Sequence, residues 1–242
     1  MKKIIFVLAV VVATAITAGA QNKVVLFDTS HGQTSTLFED YRGFVGQIPN
    51  ATLSVNDKEI TSAVLHQVSA LIMLSPPPTA TLTPVERKAI VDFVQKGGRL
   101  LFFFDEERRT PLEGYGANDI VKPFGMQYGE NCPARRNVGA ISLIGEIGNT
   151  PREVPYSGGR ILTGGIPVCI VNDEGVYQHG AYTKLANGGK IIAFGDGMLG
   201  LLLGLPKGQG ARLSGHTSGD PTLWWGQDSR IFVQEIITWL LK

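Results

Sequence analysis

Two cysteines and four histidines are all that 242 residues offer of the usual metal ligands and nucleophiles. Cys132 and Cys169 lie outside any CxxC or Cys/His grouping, so no zinc site is expected. There is no GxGxxG opening a helix after the first strand, no GxxxxGK[ST], no HExxH and no GxSxG. The dinucleotide, phosphate-loop, zinc-protease and serine-elbow chemistries therefore lack their scaffolds, and no cofactor is expected. An excess of one charge is also missing, with 22 Lys and Arg against 21 Asp and Glu. That balance argues against nucleic acid as a partner.

The long apolar run is confined to the start. Lys2 and Lys3 precede Ile4 to Ile16, and Ala18-Gly19-Ala20 stands before Gln21, which predicts a secretory signal over residues 1–20. The run is short for a membrane span, which needs about 20 residues. No cysteine follows the cleavage site, so lipid attachment is not indicated. Cleavage leaves residues 21–242 as a single α/β domain, periplasmic or secreted, without a membrane span. Loss of the two lysines leaves 20 basic against 21 acidic residues. In an oxidising compartment Cys132 and Cys169 either form a disulfide or remain two buried thiols.

Apolar runs then alternate with helical patterns. Lys23 to Asp28 reads as a strand, and Leu37, Phe38, Tyr41, Phe44, Val45 and Ile48 have helical spacing behind a Thr36/Glu39 capping box. Ala51 to Val55 reads as a second strand, with Asn56 and Glu59 capping a helix through Ile60, Val64 and Leu65. Ala70 to Leu74 reads as a third, stopped by Ser75-Pro-Pro-Pro78. Thr83, Pro84 and Glu86 open the best-marked helix, and Gly97-Gly98 closes it. Strand 99–104 follows, apolar after Arg99 as a strand covered on both faces should be. A helix is expected near 116–124. Short β-like pieces at Ile161-Leu162, Pro167 to Val171 and Val176 to Tyr182 predict an antiparallel extension of the sheet. Lys190 to Asp196 returns to the strand pattern, and Asp228 is placed to cap a closing helix. The expected fold is a flavodoxin-like three-layer α/β sandwich with a mostly parallel central sheet and that antiparallel extension.

Three strand exits carry acids: Asp28, the run Asp105-Glu106-Glu107, and Asp196. Right-handed crossovers place such exits on one edge of a sheet, where ligands of α/β proteins bind. Ser30, His31 and Gln33 add a hydroxyl, an imidazole and an amide in the first loop. Arg108 and Arg109, with Arg135 and Arg136, either pair these acids or hold an anionic ligand. In the glycine-rich loop Gly204 to Gly226, Trp224 and Trp225 cannot both face one core, and an exposed indole suits a sugar ring. The candidate ligand-binding set is Asp28, Ser30, His31, Gln33, Glu106, Arg108, Asp196, His216, Trp224 and Trp225. Were the chain an enzyme, His31, Glu106 and Asp196 would carry the chemistry.

Strand-Asp-x-x-His-Gly at 24–32, LTPVERKAIVDFVQKGGRLLFF at 82–103, GGKIIAFGD at 188–196 and FVQEIITWLL near the end together resemble the class I glutamine amidotransferase-like superfamily. Within it the chain is similar to the non-amidotransferase branch. That branch includes the N-terminal domain of intraflagellar transport proteins, accessory domains of gliding-motility transporters and domains of some glycan-degrading enzymes. In true amidotransferases a nucleophilic cysteine follows the strand equivalent to 99–104, where this sequence has Asp105-Glu106-Glu107. The resemblance therefore implies no amidotransferase activity and a binding or interaction role. The expected function is an exported, non-catalytic domain that binds a small carbohydrate or an envelope protein and is associated with glycan utilisation. The alternatives are a carboxylate-based glycosidase and a scaffold subunit of an envelope complex.

Overall fold

A computed structural model describes residues 22–136, 138–203 and 228–242. Residues 1–20, where a secretory signal is expected, and His216, Trp224 and Trp225 lie outside the described residues.

The chain runs β1 (Lys23–Asp28), α1 (Phe38–Gly46), β2 (Ala51–Asn56), β3 (Ala70–Met73), α2 (Pro84–Gln95) and β4 (Arg99–Phe103). Two short helices, α3 (Leu112–Tyr115) and α4 (Ala117–Val121), lead into β5 (Met126–Asn131), β6 (Ala140–Ser142), β7 (Glu153–Val154) and β8 (Arg160–Gly164). Then come β9 (Ile166–Asn172), β10 (Val176–Lys184), β11 (Lys190–Phe194), α5 (Met198–Leu201) and α6 (Ser229–Leu241).

The main sheet has the order β2-β1-β3-β4-β11-β10-β9-β6-β7. Its first five strands are parallel and the remainder antiparallel. This is the expected flavodoxin-like sandwich with its antiparallel extension. Because side chains alternate across a strand, each apolar strand feeds two cores. Val25, Phe27, Ile72, Leu101, Phe103, Ile192 and Phe194 pack with α1 and α6 on one face. Leu71, Leu100, Phe102, Phe104, Ile191 and Ala193 pack with α2 and α4 on the other. Burial of each such side chain contributes about 1.5–3 kcal/mol, which explains why no polar residue interrupts β4 after Arg99.

Several local expectations need correction. Helix α1 starts after Leu37 with no side-chain cap, and Thr36 instead takes its own N–H to Thr34 Oγ1. Residues 62–67 form turns rather than a helix, because Asn56 ends β2 with its amide committed to Asp28 Oδ1 and the Lys58 carbonyl. The helix expected near 116–124 is present as α4 behind Gly116 at φ +74, and a 3-10 turn over Lys122–Phe124 continues it through Pro123. Ile161 and Leu162 belong to β8, which pairs with β5 in a separate two-stranded sheet rather than the main one. Asp228 makes no cap to α6; its carboxylate accepts from the Glu153 N–H at 3.4 Å. The capping box at Thr83 and Glu86 forms as expected.

Candidate functional site

Strands β1, β4 and β11 are parallel, so Asp28, Asp105 and Asp196 all stand at the carboxyl edge, and all three are buried. The polar side chains there divide into two clusters.

Asp28 organises the first. Its Oδ1 accepts from Ser30 Oγ at 2.7 Å and Asn56 Nδ2 at 2.8 Å, and its Oδ2 from Gln33 Nε2 at 2.9 Å. His31 spans from Asp28 Oδ2, 3.1 Å from Nδ1, to Glu86 Oε1, 2.9 Å from Nε2. Burial disfavours a charged ring, but the two carboxylates outweigh it and raise the His31 pKa. With both ring nitrogens against carboxylates His31 is placed to clamp Asp28 to Glu86, and once protonated it donates from both and has no lone pair left to take a proton. Glu86 was legible as a helix cap; its additional bonds to His31 and to the Ile60 N–H were not. The Tyr115 ring lies edge-on to His31 with centroids 6.5 Å apart, and its buried hydroxyl has no partner among the described residues.

The second cluster surrounds the exit of β4. Glu106 is 3% exposed and meets three guanidiniums. Arg108 Nε donates to its Oε1 at 2.7 Å, Arg136 Nη1 at 2.8 Å, and Arg109 Nε lies 3.2 Å from the same oxygen. Arg136 Nη2 also pairs with Oε2. Burial pushes the Glu106 carboxyl up, yet the arginines hold it below its ordinary value. Arg109 also reaches Asp105 and Ser157 Oγ, and buried Arg160 pairs with Glu107 and donates from Nε to the Asp105 carbonyl. Arg135 lies outside this group, on Asp173.

Asp196 accepts from the Ser157 and Met198 N–H groups at 2.7 and 2.8 Å. Burial and then the Asp105 charge drive its pKa well up. Burial raises Asp105 to about 6 despite Arg109. The two acids therefore disfavour each other's ionised form. Arg136 pairs with an acid of this edge, one of the two readings its sequence allowed, whereas nothing in the local sequence of Ser157 and Arg160 signalled their convergence here.

Cys132 and Cys169 are free and buried. No group of three or more His, Cys, Asp or Glu able to hold a metal occurs among the described residues. A cavity lined in part by Glu146, Gln234, Glu235 and Trp239 is away from the carboxyl edge, on the side where Lys190 begins β11 and bonds the Trp239 carbonyl.

No protein-family model matches the sequence, and no curated protein matches it significantly. Solved structures do. The N-terminal domain of mmIFT52 superposes with a TM-score of 0.55 at 17% identity, covering 73% of this chain and 87% of that one. A protein described as ThuA-like from Bacteroides uniformis gives 0.52 at 12% identity, covering 90% and 89%. The chain thus shares its fold with these two structures, which is consistent with the distant glutamine amidotransferase-like fold expected from the sequence. At these identities the likeness concerns fold alone.

Proposed function

We propose that this chain is an exported, non-catalytic ligand- or partner-binding domain of the non-amidotransferase branch, associated with glycan utilisation. The observation carrying this reading is the β4 exit, where the resemblance places a nucleophilic cysteine in true amidotransferases. Here Glu106 is buried beneath Arg108, Arg109 and Arg136, and neither cysteine, both of them buried, belongs to that turn in sequence. A saturated carboxylate is a poor nucleophile or base, because each guanidinium would have to be released before it could act. His31 is similarly engaged at both nitrogens.

The ligand is a small carbohydrate or an envelope protein. A thermal-shift screen against neutral oligosaccharides, combined with a glycoside-hydrolysis assay, tests the reading. Ligand-dependent stabilisation without product formation supports it. Turnover abolished by Glu106→Gln or His31→Gln rejects it.

One observation favours a carboxylate-based hydrolase as the second reading. Asp105 and Asp196 are neighbouring buried acids that disfavour each other's charge, a kind of pairing on which acid and base roles can be divided. Hydrolysis lost in Asp196→Asn but retained in His31→Gln would support that assignment.

A further inference from the structure

We infer that the β4 exit binds an oxyanion, a carboxylate, sulfate or phosphate group carried by the ligand, through Arg108 and Arg136. This inference rests on the non-catalytic binding reading and specifies its ligand chemistry.

The charge count is the first argument. Arg108, Arg109 and Arg136 converge on Glu106, and Arg109 also contacts Asp105. Arg160 and Glu107 cancel as a pair. Even with Asp105 ionised, three guanidiniums face two carboxylates. Asp196 is buried and takes its hydrogen bonds from the Ser157 and Met198 N–H groups, with none of these guanidiniums among its donors.

Geometry is the second. Arg108 and Arg136 donate to the same oxygen, Glu106 Oε1, at 2.7 and 2.8 Å, so two like charges are held close together. Their side chains are 62% and 45% exposed, whereas Glu106 beneath them is 4% exposed. Arg108 uses Nε on Glu106, and its terminal nitrogens have no partner among the described residues. Arg136 spends both terminal nitrogens on Glu106, with Nη1 also on the Ser157 carbonyl, so it contributes charge, and the open terminal edge of Arg108 supplies the planar fork that recognises an oxyanion.

The loop opposite is shaped around this pair. Gly158 has φ +99, and a Cβ there would lie 3.1 Å from Arg136 Nη1 and 3.3 Å from Glu106 Oε2. Only a residue without a side chain lets the backbone approach both without crowding.

Isothermal titration of the purified protein with sodium sulfate, inorganic phosphate and glucuronate, against sodium chloride at matched ionic strength and neutral glucose, tests the inference. Saturable binding of at least one oxyanion is expected, weakened at least tenfold by Arg108→Ala and by Arg136→Gln, with glucose silent. Arg108→Lys should recover little, because an ammonium lacks the fork. Preference for glucuronate indicates a uronate-bearing ligand, and preference for sulfate or phosphate an esterified one. Absence of saturable binding up to about 10 mM overturns the inference. So does binding that Arg108→Ala leaves unchanged. A neutral glycan bound equally by wild type and Arg108→Ala overturns it while leaving the parent reading intact. Turnover lost in Glu106→Gln defeats the parent reading itself.

Discussion

His31 Nε2 lies 2.9 Å from Glu86 Oε1, 55 residues away in sequence, and so ties the loop after β1 to the first turn of α2. The opposite ring nitrogen faces Asp28, so the imidazole ring bridges two buried carboxylates.

Replacing His31 by Gln should cost about 1–3 kcal/mol near pH 6, the range for hydrogen bonds with a charged partner. The sign of its pH dependence follows from the raised pKa. Stabilisation is complete below the unfolded value, about 6.5, and is lost as pH rises through the higher folded value. Urea unfolding of wild type and His31→Gln between pH 6 and 9 should show the gap closing. A gap constant with pH would mean that the ring is not charged at the site.

Glycine positions give a second prediction. A Cβ on Gly159 would lie 2.3 Å from the Gly195 carbonyl oxygen, where β8 begins against the end of β11. Backbone must move to admit it, so Gly159→Ala should destabilise by about 1–3 kcal/mol. Gly43, inside α1, has nothing within 4 Å of such a Cβ. Gly43→Ala should therefore stabilise by about 0.5–1 kcal/mol through helix propensity. Equal effects in thermal unfolding would contradict the close approach at Gly159.

These contrasts also show what could be read from sequence. Strand β4 and its acidic exit were legible because apolar continuity and an abrupt charge are local properties. The cap of α2 was legible for the same reason. The segment around Ile60 and Leu65 misled because burial was mistaken for helical periodicity. Ile60 is buried while its N–H is satisfied by Glu86 Oε1 rather than by a helix. The clamp and the arginine cluster depend on contacts between distant segments, His31 with Glu86 and Glu106 with Arg136, and one-dimensional patterns do not encode those.

The Asp105 and Asp196 pair predicts coupled titration. Both folded pKa values are raised, so the contribution of these acids to stability is greatest at low pH. It declines as pH rises from about 4 through the Asp105 value of about 6. Asp105→Asn removes one charge and should lower the Asp196 pKa, while burial keeps it above the ordinary carboxylate range. Carboxyl carbon NMR across pH 3 to 9 follows this directly. An unmoved Asp196 midpoint would show that the two acids titrate independently.

His179 supplies the last prediction. It is fully buried beside Tyr156, with ring centroids 5.6 Å apart, and neither ring nitrogen has a partner among the described residues. Burial lowers its pKa to about 4. For a base held neutral in the folded state, stability is intact above the unfolded value and falls as pH drops below it. Taking about 6.5 for the unfolded ring, the loss should reach about 2 kcal/mol by pH 5. His179→Leu removes both the unpaired nitrogens and the titration, although it does not fill the same shape. The variant should therefore gain on wild type by about 2 kcal/mol between pH 8 and pH 5, whatever its packing cost at pH 8. Parallel stability curves for the two proteins would show that His179 is protonated as readily in the fold as in the open chain, and would require a partner for its ring.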